Sequence, residues 1–243
     1  MGNGTWRRVL GARVVMSWPD DAITSPPSPP PTGTKRSRLA GFMGVFLLVA
    51  GGVTITVGVL SQQHAPQPGA AAAGVTGSTR GPSLSRSTPV TISIPEIGVH
   101  SKLLRLGLNS DGTIAVPSLT TSAGEAAWYK YSVTPGQVGT SVIEGHVDNY
   151  EGPAVFFRLG ALRPGQTIDV TLADGVTAIF RVTGVRAYQK ASFPTDAVYG
   201  DSHYSALRLI TCSGSFDYST DHYLGSTVVF ATLTGHQAAG ASD

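Results

Sequence analysis

The sequence predicts a mostly antiparallel β-barrel or sandwich, held outside the cell by a single membrane-spanning helix. Three observations carry that expectation. Residues 88–235 alternate short β-branched and aromatic runs with turns of Gly, Pro, Asn and Asp. No stretch among them shows a long helical period. Leu39–Leu60 is an unbroken run of 22 uncharged residues.

Taken in chain order, residues 1–38 form a polar tail with six Lys or Arg against two Asp, and its "PPSPPP" at Pro26–Pro31 is extended and solvated. Leu39–Leu60 follows, and as a helix rising ~1.5 Å per residue it spans roughly 33 Å, the depth of a bilayer's hydrocarbon core. Lys35, Arg36 and Arg38 sit directly before this run, and the first positive charge after it is Arg80. The positive-inside rule therefore places the N-terminus in the cytoplasm and exports the rest as a single-pass protein. A cleaved signal peptide fits less well, because the nearest A-x-A pattern, Ala71–Ala73, lies beyond the apolar run. Residues 61–87 read as a flexible extracellular linker, and residues 236–243 as a disordered tail.

Within residues 88–235 six strands are expected, from "VTISIP" at Val90, "TSVIEG" at Thr140, "QTIDVTL" at Gln166, "TAIFRVTGVRAYQ" at Thr177, "ALRLITC" at Ala206 and "STVVFATL" at Ser226. "NSDG", "TPGQ", "RPGQ" and "ADGV" supply turns. "PAVFFRLGAL" from Pro153 could hold one short helix or turn. These 148 residues suffice to bury a core without disulfides or metal. They carry nine Lys or Arg against twelve Asp or Glu, a mildly acidic balance that argues against nucleic acid as a partner.

Cys212 is the chain's only cysteine, so there is no intrachain disulfide and no Cys-rich zinc site. It falls at the end of "ALRLITC", where "SGS" is expected to release the chain into a loop, and it shares a strand face with Arg208 and Ile210. A small buried hydrophobe is the plain alternative. His146, in "EGHVDN", also lies where a strand gives way to a loop. A neutral thiol is a poor nucleophile, so a Cys and a His each placed at a strand end suit thiol catalysis. Composition does not choose among six histidines: His64 lies in the linker and His236 in the tail, while His100, His203 and His222 stay open.

"GHVD" and "LITCSG", with the two candidates 66 residues apart and a membrane anchor upstream, resemble the sortases, membrane-bound cysteine transpeptidases of Gram-positive bacteria. "EGHVDNYEGPAVFFRLGALRPGQ" and "FPTDAVYG" are most similar to the actinobacterial branch called class F. The likeness covers roughly Pro89 to Leu233. It implies a closed eight-stranded β-barrel with one or two short helices. It further implies that Cys212 cleaves an LPXTG-like sorting motif between Thr and Gly, and carries the thioester until a cell-wall precursor amine takes the acyl group. His146 would serve as acid and base. Partners are then the sorting-signal peptides of surface proteins and that amine, with no cofactor and no metal.

The chain departs from the pattern at one place. Relatives with a similar "HY" turn are expected to carry arginine directly after the tyrosine, to hold the oxyanion, but "DHYLGSTVVFATL" has Leu224 there, and no Lys or Arg follows Arg208. Arg208 shares the face of Cys212 but lies four strand residues, about 13 Å, away. Arg186, His222 and the backbone N–H groups near Ser213 remain candidates for the third role. A catalytically weak sortase-fold protein that binds sorting peptides is the rival reading, and a class E enzyme is a close variant. The Ser-His-Gly-Cys signature of an L,D-transpeptidase is absent, and His146, Asp148, Cys212 and His222 match no standard zinc spacing. Substrate-binding residues, the acceptor's identity and the oligomeric state are not set by the sequence.

Overall fold

The computed structural model describes residues 64–69 and 81–240. Eight strands close into a barrel: β1 Pro89–Ile94, β2 Val99–Leu106, β3 Ala126–Tyr129, β4 Gly139–Glu144, β7 Thr167–Leu172, β8 Thr177–Gln189, β9 Ser205–Asp217 and β10 His222–Gln237. A two-residue ribbon, β5 Asp148–Asn149 with β6 Gly152–Pro153, stands outside it. Around the barrel the order is β1-β2-β3-β4-β9-β10-β8-β7. Pairing is antiparallel except for β2 with β3 and β4 with β9, which run parallel.

Alternation along the strands decides which residues fill the barrel. Ile143, Leu207, Leu209, Val229 and Ala231 point into one core with Ile92, Ile168, Phe180 and Trp128. Their neighbours Val142, Ile210, Val228 and Phe230 point outward, yet they too are buried. The reason is the connection from β8 to β9, whose single α-helix, α1 Thr195–Tyr199, lays Val198 over them together with Phe193 and Tyr199. β4 and the first nine residues of β9 are consequently buried on both faces, polar Thr140, Ser141 and Thr211 among them.

All six expected strands are present, and the sequence reading missed two of the barrel's eight as well as the short β5–β6 ribbon. β2 carries exposed His100, Lys102 and Arg105, and β3 is only four residues long, so neither shows a strong β-branched run. "PAVFFRLGAL" holds a single turn of 3₁₀ helix at Leu159–Ala161. Two boundaries need correction. β9 does not stop at Cys212 but continues through Asp217, because β10 pairs with it on past Ser213. β10 likewise runs through Gln237, so His236 and Gln237, expected in the tail, pair with Ala178 and Thr177. The described ends of the expected linker also lie against the barrel: Leu84 N–H donates to Gly136 O at 2.8 Å, and the Pro66 carbonyl crosses close over Gly160. The expected membrane span, Leu39–Leu60, lies outside the described residues. Among the described residues no helix is long and apolar enough to cross a membrane.

Gly145, between β4 and His146, permits a close approach that fixes the strand end. A Cβ there would fall 2.7 Å from both Phe156 Cδ2 and Val155 Cγ1, and Phe156, fully buried, donates its N–H to His146 O at 2.9 Å. Gly145→Ala should therefore destabilise the domain by about 1–3 kcal/mol through overpacking. The shift is read from the urea midpoint at constant m, and an unchanged midpoint would refute the close contact.

Candidate active site

The parallel pairing of β4 with β9 brings together the two residues singled out from the sequence. Glu144 is level with Ile210, and Gly145 N–H donates to Ile210 O at 3.1 Å, so the ladder carries one residue beyond β4. His146 follows two residues after Glu144, and Cys212 two residues after Ile210. Both side chains are buried, and both line one cavity of about 430 Å³. The cavity opens between the β5–β6 ribbon, with Asp148, Asn149 and Tyr150, and the β9–β10 hairpin, with Phe216, Tyr218, Asp221 and Tyr223.

A backbone group fixes the imidazole. His146 Nε2 lies 2.6 Å from Pro117 O, and since a carbonyl only accepts, Nε2 carries the hydrogen and Nδ1 is the basic nitrogen of the neutral ring. Burial holds the His146 pKa down, to about 4, against the opposing pull of the Pro117 carbonyl. At neutral pH the ring is thus an uncharged base. Beside it on the same outward face is Glu144, whose carboxyl burial pushes up to about 7, with the Tyr199 hydroxyl bond pulling the other way. Tyr199 O–H donates to Glu144 Oε1 at 3.1 Å, and Oε2 has no partner among the described residues.

None of the candidates for a third group lines the cavity, and no Lys or Arg is among its described lining residues. The Arg208 guanidinium stacks 4.6 Å over the Phe230 ring and donates to Leu207 O, and burial depresses its pKa. Arg186 is level with Val228 on β8, two strands from β4's partner, and acts electrostatically on Tyr188. His222 is level with Asp217 near the hairpin tip. Leu224 is 47% exposed. The sequence reading missed a different pair: Tyr223 O–H donates to Asp148 Oδ2 at 2.5 Å and ties the two walls of the cavity together. Both residues stand inside quoted motifs, "GHVD" and "DHYL", but nothing in one chain links positions 75 apart. Among the described residues no three His, Cys, Asp or Glu side chains gather as a metal site.

The family model described as the Sortase domain matches residues 92–234. No curated protein sequence matches the chain. Among solved structures, sortase A of Listeria monocytogenes superposes with a TM-score of 0.47 at 15% identity, over 63% of this chain and 90% of that one. Sortase C1 of Streptococcus agalactiae gives 0.45 at 17% identity, over 60% and 67%. A sortase D5 transpeptidase of Clostridium perfringens gives 0.43 at 20%, over 61% and 79%.

Glu144 and His146 make opposed contributions to stability against pH. Glu144 rises from its ordinary 4.5 to about 7 in the fold, so between those values the native chain keeps a proton that the unfolded chain releases, and stability falls as pH rises. His146 drops from 6.5 to about 4, so between those values the unfolded chain holds a proton that the native chain lacks, and stability increases with pH. Each slope is at most about 1.4 kcal/mol per pH unit. Across pH 4.5–6.5, where the windows overlap, the two offset each other. Glu144→Gln should therefore steepen the gain in unfolding free energy with pH over that window relative to wild type, and His146→Gln should turn it downward. Denaturant titrations at a series of pH values check this, and parallel wild-type and Glu144→Gln curves would mean that Glu144 is ionised in the fold.

Proposed function

The chain belongs to the sortase family, and from that premise we propose that it is a single-pass membrane cysteine transpeptidase of the class F type. Its catalytic domain faces the cell wall and its basic tail lies in the cytoplasm. It cuts an LPXTG-like sorting motif between Thr and Gly and passes the acyl group to a cell-wall precursor amine. The observation that supports this best is that Cys212 and His146 line one cavity just beyond the parallel pairing of β4 with β9, with the imidazole held as a neutral Nε2–H tautomer.

On this reading the catalytic pair rests uncharged. As Sγ attacks the Thr carbonyl, Nδ1 of His146 takes the thiol proton, and the carbonyl electron pair moves onto oxygen. The C–N bond then breaks as the imidazolium gives that proton to the departing glycine amine, leaving the thioester on Cys212. An incoming amine attacks the thioester, His146 accepts a proton from it, and the Cys212 thiolate departs and recovers that proton. Buried imidazolium is costly here, so His146 carries charge only while it is paired with a developing anion.

The test is incubation of the full chain in detergent with an LPXTG-type peptide and a small amine. Wild type should form a Cys212 thioester, seen by intact mass, and transfer the peptide; Cys212→Ala and His146→Ala should each lose more than about 10³-fold in rate. The absence of a cation from the cavity's described lining favours the second reading, a peptide-binding sortase-fold protein. Peptide retained by wild type but never cleaved would establish that reading over the enzyme.

A further inference from the structure

Sulfur attack on a carbonyl leaves a negatively charged oxygen, and no described Lys or Arg lines the cavity to meet it. We propose that the Tyr223 hydroxyl is the hydrogen-bond donor that holds this oxyanion, a catalytic role beside Leu224, where arginine was expected. The inference rests on the transpeptidase reading above.

Strand geometry puts the phenol there. Tyr223 is level with Phe216, and Gly225 with Ser213, so Gly214 and Ser215 of β9 face the single residue Leu224 of β10. This bulge begins two residues after Cys212, with Gly214 at φ 82°, in the left-handed region that glycine adopts without a Cβ clash. Bulges turn side chains that a regular ladder would direct elsewhere. Here Tyr223 lines the cavity with Cys212 and His146, while Leu224 is left largely in solvent.

The phenol is also held before any substrate arrives. Its ring packs edge-on against Phe216, centroids 5.1 Å apart, and its hydroxyl is bound to Asp148. Donors fixed in advance are what oxyanion stabilisation requires. The other side-chain donors of the cavity are bound to backbone carbonyls or are exposed. His146 Nε2–H is taken by Pro117 O, and Asn149 Nδ2 donates to Leu119 O at 3.1 Å. The rings of Tyr150 and Tyr218 are 82% and 86% exposed. Ser213 Oγ, buried without a partner, does not line the cavity.

Burial, then Asp148, then Cys212 raise the phenol's pKa, so it donates a hydrogen bond without surrendering the proton, and it lies within electrostatic reach of the thiol. In the step itself the thiol proton passes to Nδ1, the S–C bond forms, and the carbonyl pair moves to oxygen. The Tyr223 O–H turns about its C–O bond from Asp148 to that oxygen, exchanging one charge-assisted bond for another. Asp148 then stands as a negative charge close to the oxyanion and opposes it. Tyr223 and Asp148 should therefore affect acylation in opposite directions.

The test uses the full chain and two small probes. p-Nitrophenyl acetate acylates Cys212 through a tetrahedral oxyanion without needing a sorting motif, whereas iodoacetamide alkylates it by displacement with no oxyanion. Tyr223→Phe should slow acylation by about 10²–10³-fold and leave alkylation within about twofold, and Asp148→Asn should speed acylation. Tyr223→Phe acylated at the wild-type rate overturns the proposal, as does equal loss with both probes, or equal loss in both variants, which marks a mere clasp. A wild-type chain that the ester does not acylate overturns it as well. Wild type that is acylated by the ester but transfers no sorting peptide refutes the transpeptidase reading alone, and the comparison of variants still decides the role of Tyr223.

Discussion

The parallel register of β4 on β9 is the constraint from which the rest of the site follows. These two strands are distant in sequence and are buried on both faces, so their alignment is fixed by the inner core and again by the outer cover of α1. A slip of one residue would exchange the faces of a strand, turning Cys212 into the barrel and bringing Leu209 or Thr211 outward. Double burial makes such a slip costly on either side. The same register that packs Ile143 against Leu207 and Leu209 therefore sets where sulfur meets imidazole.

Burial also sets the electrostatics around that meeting point. Glu144 and His146 are two residues apart on one face, and desolvation moves their pKa values in opposite directions, both toward the neutral form. The result is a buried patch beside Cys212 where His146 is neutral at pH 7 and Glu144 is held closer to its neutral form than an ordinary carboxyl. Arg208 shows what a full charge costs on this face: it is buried, its pKa is depressed, and it is kept by a π-face and a carbonyl rather than by a carboxylate. The side chains that carry charge into the cavity are the acids Asp148 and Asp221, at its mouth.

The sequence made part of this legible. Strands with β-branched runs, such as "QTIDVTL", announced themselves, because a half-buried strand needs that alternation. β3, with "AAWY", did not: its four residues are held by neighbours, and Ala carries little strand preference of its own. Cys212 and His146 were legible as types at suggestive places, and their resemblance to known motifs chose them. Their adjacency was not, because a parallel pairing across more than sixty residues leaves no local trace. The end of β9 was misplaced because "SGS" reads as a turn, whereas Gly214 serves a bulge inside a continuing strand. The Asp148–Tyr223 bond was invisible for the same reason as the Cys–His meeting: each residue is ordinary until the fold sets them side by side.

A neutral donor in place of a guanidinium changes more than one step of the chemistry. A cation beside Cys212 would favour the thiolate before substrate binds, and a resting thiolate is the form that oxidises. With an uncharged imidazole and a phenol as its neighbours, the sulfur has no cation beside it to favour the anion. The gain is a resting site that needs no counter-ion in a desolvated cavity, where an unpaired charge is expensive. The loss is long-range attraction, since a phenol acts through one directed hydrogen bond and a guanidinium through its whole field. Placement must then do what charge would otherwise do, and the bulge after Cys212 and the Phe216 ring together provide it.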